Sequence, residues 1–100
     1  MHIVYMPNYS KAKIYKIIDL KENLIYIGST TNALSVRMAQ HRYVYKNKLK
    51  SISCHLIFEK FGINNCKIVL VENYPCISKE ELQKRESEYI KHNECVNKLT

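Results

Sequence analysis

A glutamate in the last quarter of the sequence stands where a charged side chain is unexpected. Glu86 follows Leu82 by four residues and precedes Ile90 by four, so helical periodicity places all three on one apolar stripe. Burying a carboxylate without a partner costs free energy. Glu86 therefore needs a cation, and either an arginine or a metal ion would meet that need.

Two further pairs of side chains bring hydrogen-bonding and titratable groups close together. Arg37 and His41 are four residues apart and share one face of a predicted helix; the ordinary edge of an amphipathic helix is the alternative. Tyr15 and Tyr26 lie in two neighbouring strand-like runs, KIYKII and LIYIGST, where core packing is the alternative for each ring. Gly28, one of only two glycines in the chain, closely follows the second tyrosine.

The net charge of +7 is concentrated in the first part of the chain. Residues 1–60 hold ten Lys and Arg against three acidic residues, whereas residues 61–100 hold six against six. The densest basic stretch is HRYVYKNKLK, whose cations are Arg42, Lys46, Lys48 and Lys50. Basic side chains interleaved with tyrosines favour a nucleic-acid surface. The alternative is a solvated, lysine-rich helix end at the negative pole of the helix dipole.

Several other classes of protein do not fit the sequence. No run approaches the roughly 18 apolar residues of a membrane span, and the N-terminus lacks the basic start and apolar core of a signal peptide. We therefore expect a soluble, intracellular protein, in the cytoplasm or nucleus of a host cell, that is not secreted and has no membrane partner. The four cysteines are spread singly, without a Cys-x-x-Cys pair, which argues against structural zinc and favours free thiols.

The elements that must position these residues follow the order β-β-α-α-β-α. The predicted strands cover residues 13–18, 24–28 and 66–74, and the predicted helices cover 32–47, 54–61 and a segment from 78 onward. Asn32 and Ser78 are the predicted N-caps of the first and last helices. We expect an α+β fold, a small three-stranded antiparallel sheet flanked by helices, over residues 13–100, with residues 1–12 as an unassigned arm. With a hairpin turn centred near residues 20–21, Tyr15 and Tyr26 would lie opposite each other on one face.

Taken in order, these motifs resemble the GIY-YIG nuclease domain family. The naming motif is matched by IY on the first predicted strand and YIG on the second, and the helix with an arginine and then a histidine is matched by GSTTNALSVRMAQHR. The late glutamate is matched within RESEYI, and an asparagine after that helix is matched by Asn97. The resemblance covers residues 13–97; one departure is Lys13, where the family has the first glycine of its motif.

The resemblance implies a DNA endonuclease that hydrolyses phosphodiester bonds with a metal ion. At the matched positions, Tyr15 resembles the residue that takes the proton from the attacking water. Arg37 would clamp the scissile phosphate. Tyr26 and His41 would hydrogen-bond to phosphate or water, with His41 as a secondary acid or base.

Three further positions take their expected roles from the same resemblance. Glu86 would be a ligand of Mg²⁺ or Mn²⁺, a cation that suits an oxygen donor. Gly28 would let the backbone approach the site closely. Asn97 would give structural support by tying the last helix to the sheet.

Two alternatives to a nuclease follow from the same residues. One is a catalytically inactive nucleic-acid-binding module on the same fold, although every catalytic position is filled. The other is a small basic protein that binds DNA or RNA for architecture, which would explain the charge but not the catalytic set. In either case, 100 residues leave no room for a separate DNA-recognition domain. Specificity would then come from a partner protein or an oligomer.

Overall fold

The computed structural model describes residues 6–99, so residues 1–5 of the predicted N-terminal arm and Thr100 lie outside the described residues. The predicted α+β order is confirmed. The strands and helices are β1 (Lys13–Asp19), β2 (Ile25–Thr30), α1 (Leu34–Lys46), α2 (His55–Phe61), β3 (Cys66–Asn73) and α3 (Lys79–His92). Short 3₁₀ turns cover Tyr9–Lys11, Ile63–Asn65 and Val96–Leu99.

The sheet is antiparallel, with β1 between β2 and β3. Because successive strand residues point to opposite faces, β1 supplies side chains to two separate cores. Tyr15 and Ile17 pack in the cluster that contains Met38 of α1 and Phe58 of α2. Ile14 packs instead in the cluster that contains Leu82 of α3. The sheet is therefore covered by α1 and α2 on one face and by α3 on the other.

The predicted hairpin register is wrong by two residues. Tyr15 lies opposite Gly28, and Tyr26 lies opposite Ile17. Strand β1 ends one residue later than predicted and β2 begins one residue later. The Asp19 carboxylate organises the loop between them, accepting hydrogen bonds from the backbone N–H of Leu24 at 2.8 Å and of Lys21 at 3.2 Å. The two tyrosines still share one face of the sheet, but they are diagonal neighbours rather than a directly opposed pair.

The predicted N-cap of the first helix is also wrong. Helix α1 begins at Leu34 after Ala33, which makes no side-chain capping bond. Asn32 belongs to the preceding turn, where its N–H donates to Thr30 Oγ1 at 3.0 Å and its carbonyl accepts from Lys13 Nζ at 2.8 Å. Lys13, the departure from the family motif, thus ties β1 to the loop that leads into α1.

The predicted cap of the last helix is confirmed. The backbone N–H of Glu81 donates to Ser78 Oγ at 3.2 Å. The Glu81 carboxylate in turn accepts from the N–H of Ile77 at 3.1 Å. Together these two hydrogen bonds fix the start of α3.

Part of the arm packs on the domain. Ala12 is buried, and Tyr9 lies against the same cluster as Leu82. The carbonyl of Ala12 accepts from the N–H of Tyr74 at 2.8 Å, which continues the strand pairing beyond β3. No helix within residues 6–99 is long and apolar enough to cross a membrane.

Candidate active site

The phenol of Tyr15 lies at the centre of the candidate site. Its ring is fully buried on the middle strand, facing α1. The Tyr15 Oη atom is 2.7 Å from His41 Nε2 and accepts a hydrogen bond from Arg37 Nε at 3.2 Å. The sequence-predicted pair on α1 therefore reaches one oxygen atom, because residues four apart lie one above the other on a helix.

The space for the Tyr15 ring is made by Gly28 on the neighbouring strand. A Cβ atom at Gly28 would lie 2.9 Å from Tyr15 Cε1 and still closer to Cζ and Oη. Any side chain at this position would therefore collide with the phenol. The close approach at Gly28 is between the β2 backbone and the ring of Tyr15.

Tyr26 forms the outer part of the same aromatic group. Its ring centroid is 6.4 Å from that of Tyr15 and 5.7 Å from that of His41, and the side chain is half-buried. Burial raises the pKa of Tyr15 to about 12, although the positive charge of Arg37 opposes this effect. Burial likewise raises the pKa of Tyr26; the negative charge of Glu86 adds to this effect, and the positive charge of Arg37 opposes it. Both phenols are thus protonated at neutral pH.

His41 is a buried, neutral imidazole. Burial, and next the positive charge of Arg37, lowers the pKa of His41 to about 4. The ring uses both nitrogens, since Nε2 meets Tyr15 Oη and Nδ1 is 3.5 Å from Cys54 Sγ. A neutral imidazole has one donor and one acceptor nitrogen, so it can take a proton from a neighbouring phenol.

Arg37 connects this cluster to the surface. Its Nε atom donates to Tyr15, and its Nη1 atom donates to Gln40 Oε1 at 3.1 Å. The side chain is half-buried, and no carboxylate of residues 6–99 forms an ion pair with it. Its positive charge is therefore available to an anion that approaches the site.

Glu86 approaches the site from the opposite face of the sheet. Its Oε1 atom accepts a hydrogen bond from Ser29 Oγ at 2.6 Å, and the side chain is half-buried. Of the two alternatives, arginine or metal, no arginine pairs with Glu86 within residues 6–99. The adjacent Arg85 pairs instead with Glu72 at 2.6 Å and Glu88 at 2.8 Å. Ser29 is a neighbour that the sequence did not single out. The feature of the sequence that could have identified Ser29 is a hydroxyl residue directly after Gly28, on the opposite face of the strand.

Asn97 holds the outer edge of β2. Its Oδ1 atom accepts from the Ile27 N–H at 2.9 Å, and its Nδ2 atom donates to the Ile27 carbonyl at 2.7 Å. One amide side chain thus satisfies both backbone groups of a residue on an edge strand. It ties the segment after α3 to the strand that carries Tyr26.

The four predicted DNA-binding cations do not form one surface. Lys46, Lys48 and Lys50 are exposed and line an open groove of about 1290 Å³ that also reaches Tyr26 and Asn97. Arg42 is half-buried and does not line this groove, and its Nε atom is buried without a hydrogen-bond partner within residues 6–99. The structure therefore groups the three lysines with Tyr26 and separates Arg42 from them.

Comparison with known families decides how this arrangement is classified. The model of the GIY-YIG catalytic domain matches residues 11–99, which includes every residue of the candidate site. The chain belongs to the GIY-YIG family. It is thus a domain of the nuclease, or endonuclease, type.

One curated relative has a longer sequence than this GIY-YIG domain. The MSV199 domain-containing protein 146R of Invertebrate iridescent virus 6 is 34% identical over 91 residues, which are 89% of this chain and 36% of that protein. The chain thus spans about a third of the length of the relative that it matches. Among solved structures, none matches the chain closely enough to count as similar.

Proposed function

We propose that this GIY-YIG domain is a metal-dependent DNA endonuclease that hydrolyses phosphodiester bonds. One observation carries the proposal: Arg37, Tyr15 and His41 meet at a single phenol oxygen, in reach of the charge of Glu86. Phosphodiester hydrolysis needs an activated water and positive charge at the phosphoryl oxygens. Tyr15 with His41 provides the first, and Arg37 provides part of the second.

Proton movement at Tyr15 is the first step of the proposal. The raised pKa of Tyr15 means that a free phenolate is scarce at neutral pH. Oη can nevertheless accept a proton from water if it gives its own proton to His41 Nε2, 2.7 Å away. His41 is neutral, with a nitrogen free to take that proton, and the negative charge of a bound phosphate would raise its lowered pKa.

Arg37 controls access of water to this oxygen. In the free protein its Nε atom occupies one acceptor position of Tyr15 Oη, and the tyrosine is fully buried. When Arg37 turns towards the scissile phosphate, that position becomes free for the attacking water. The same movement therefore places a cation on the phosphate and makes the Tyr15 oxygen accessible to water.

Glu86 is the residue that would hold a divalent cation. No group of three or more His, Cys, Asp and Glu side chains within residues 6–99 could enclose a metal ion. One carboxylate without an ion pair nevertheless suits Mg²⁺ or Mn²⁺, since Mg²⁺ keeps several waters and takes its other ligands from substrate phosphates. When bound, the ion supplies positive charge at the phosphate oxygens and the leaving 3′ oxygen. Ser29 fixes the carboxylate for this role at 2.6 Å.

Two grooves beside the cluster suggest the path of the DNA strand. The larger groove joins Tyr26 to Lys46, Lys48 and Lys50. A smaller groove of about 370 Å³ lies beside Ser29 and Arg37 and includes Lys79, and none of residues 6–99 that line it is acidic. The proposed strand runs from the lysines past Tyr26 and Arg37 towards Lys79. The contacts proposed along this path are to phosphates, which carry no sequence information, so specificity would come from contacts outside it, for instance with a partner protein.

Cleavage of supercoiled plasmid with and without Mg²⁺ tests the proposal. We expect nicking with Mg²⁺ or Mn²⁺, none with a chelator, and none for Glu86→Gln, which keeps the shape and the Ser29 hydrogen bond but removes the charge. Unchanged DNA binding by Glu86→Gln would show that the variant is folded. DNA binding without cleavage by the wild type under all metal conditions would instead support the inactive binding module.

A further inference from the structure

Cys54, immediately before α2, lies against the outer nitrogen of His41. Its side chain is fully buried, and Sγ is 3.5 Å from His41 Nδ1. We propose that Cys54 is a positioning residue that fixes the tautomer of His41, so that Nε2 is free to accept the proton of Tyr15. The proposal rests on the proposed function for its effect on cleavage, but not for its structural part.

The proton positions follow from the hydrogen bonds of the cluster. The Arg37 Nε–H group can only donate, so Tyr15 Oη is its acceptor. The hydroxyl of Tyr15 is buried, and His41 Nε2 at 2.7 Å is its acceptor within residues 6–99. The remaining proton of the neutral imidazole then lies on Nδ1 and points to Cys54 Sγ. The chain of donors runs from guanidinium to phenol to imidazole to thiol.

The opposite arrangement leaves a buried donor without a partner. If the thiol donated to Nδ1, then Nε2–H would donate to Tyr15 Oη, which already accepts from Arg37. The Tyr15 hydroxyl proton would have no acceptor within residues 6–99. An unmade bond at a buried donor costs more than a weak thiol hydrogen bond gains. Without the Cys54 sulfur, however, the Nδ1–H tautomer would leave its own buried donor unpaired, so the sulfur decides the balance between the two tautomers. Burial also raises the pKa of Cys54 to about 12, so the sulfur carries no charge that would draw a proton onto His41.

The tautomer matters because proton transfer from Tyr15 requires an unprotonated nitrogen. With the proton on Nδ1, Nε2 is that nitrogen, and the bond that the other nitrogen makes decides the choice. With the proton on Nε2, His41 would be a second donor to Tyr15 and could not take its proton. Cys54 therefore acts on the reaction through His41, without touching substrate.

Ring nitrogen shifts of His41 and single-turnover cleavage rates test the proposal together. Long-range ¹H–¹⁵N spectra of the ¹⁵N-labelled protein distinguish the Nδ1–H from the Nε2–H tautomer. The variants are Cys54→Ala, which removes the acceptor, and Cys54→Ser, which restores one. Cys66→Ala is the matched control, because Cys66 is a second buried thiol of the same core cluster whose Sγ atom contacts the Gly62 and Ile57 carbonyls.

We expect the Nδ1–H tautomer in the wild type, Cys54→Ser and Cys66→Ala, and a shift towards Nε2–H in Cys54→Ala. Cleavage by Cys54→Ala should fall at least on the order of tenfold, with DNA affinity unchanged and with recovery in Cys54→Ser. An Nε2–H tautomer in the wild type overturns the proposal. So does a Cys54→Ala protein that keeps the wild-type tautomer, whatever its rate, since Cys54 would then only fill space. If no variant cleaves DNA, the proposed function fails while the spectra still decide the role of Cys54.

Discussion

The oxygen of Tyr15 joins two side chains that a phenyl ring could not join. Tyr15→Phe keeps the ring on β1 but removes the contact with His41 Nε2 and the acceptor for Arg37 Nε. We expect the cleavage rate to fall at least on the order of a hundredfold, the low end for loss of a general base. The free energy of unfolding should fall by only about 1–2 kcal/mol, the usual net cost of such hydrogen bonds.

Single-turnover cleavage of pre-bound DNA, with thermal melts of the same samples, measures both quantities. Tyr43→Phe is the control, because Tyr43 is on the same helix as His41 but is exposed. If Tyr15→Phe cleaves at the rate of the control, the phenol serves packing alone.

The buried imidazole of His41 should make stability depend on pH. Its pKa is lowered from 6.5 to about 4 in the folded protein. Between these values the unfolded chain binds a proton that the folded protein does not, so acid favours unfolding. We expect this group to remove up to roughly 3 kcal/mol of stability as the pH falls from about 6.5 to about 4, at 1.36 kcal/mol per pKa unit.

Urea unfolding of the wild type and His41→Gln at several pH values isolates this contribution, because other titrating groups affect both proteins. The stability difference between the two should shrink as the pH falls through this range. A stability difference that does not change over this pH range would mean that folding does not lower the pKa of His41.

At the scale of elements, β1 and β2 pair closely, and Gly28 of β2 leaves the space that the Tyr15 ring occupies. Gly28→Ala would place a methyl group against the Tyr15 ring, which neighbouring groups hold from the other side. We expect a loss of about 1–3 kcal/mol, typical of overpacking, together with a loss of cleavage in protein that remains folded.

Gly62→Ala provides a matched comparison at the other glycine. Gly62 has φ +86°, so alanine is strained there for backbone reasons. That variant should be destabilised but should cleave at the wild-type rate while folded. Thermal melts identify conditions in which both variants are folded, and cleavage is measured there. If Gly28→Ala then cleaves as fast as Gly62→Ala, Gly28 has no special relation to the site.

The elements were more predictable from the sequence than their register. Alternation, helical periodicity and capping residues are local signals, and they predicted the correct order of elements and the Ser78 cap. The register depended on Asp19, whose carboxylate organises the loop between β1 and β2 by accepting hydrogen bonds from the backbone N–H groups of Lys21 and Leu24. Ser29 and Cys54 were missed because their partners, Glu86 and His41, are distant in sequence or lie on another element.

At the scale of the whole molecule, three exposed lysines line the large groove that reaches Tyr26. Changing Lys46, Lys48 and Lys50 together to Gln should weaken DNA binding and flatten the slope of log affinity against log salt. The expected change is about two to three units, at roughly 0.9 per lost phosphate contact.

The control for charge alone is a second triple variant. Lys67, Lys84 and Lys91 are exposed and outside the large groove, so changing them to Gln removes the same net charge. Fluorescence anisotropy over a range of salt concentrations gives both slopes. Equal slopes for the two triple variants would mean that the groove is not the binding surface.

Charge placement was only partly visible in the sequence. The basic stretch was evident from composition, but Arg42 could not be separated from the lysines by counting charges. Its separation depends on the direction of each side chain on and after α1, which burial of the helix face decides. The groove itself is bounded by residues as distant as Tyr26 and Asn97, so no local pattern could reveal it.

The two hydrogen bonds between the Asn97 side chain and the Ile27 backbone have a consequence for the protein during its synthesis. A ribosome makes Tyr15, His41 and the whole sheet before it makes Glu86, and it makes Asn97 later still. A nascent chain that has not reached Asn97 carries β2 with an unprotected outer edge, and one that has not reached α3 also lacks the carboxylate. Under the proposed function, the order of translation therefore delays a competent site until α3, which carries Glu86, has been made.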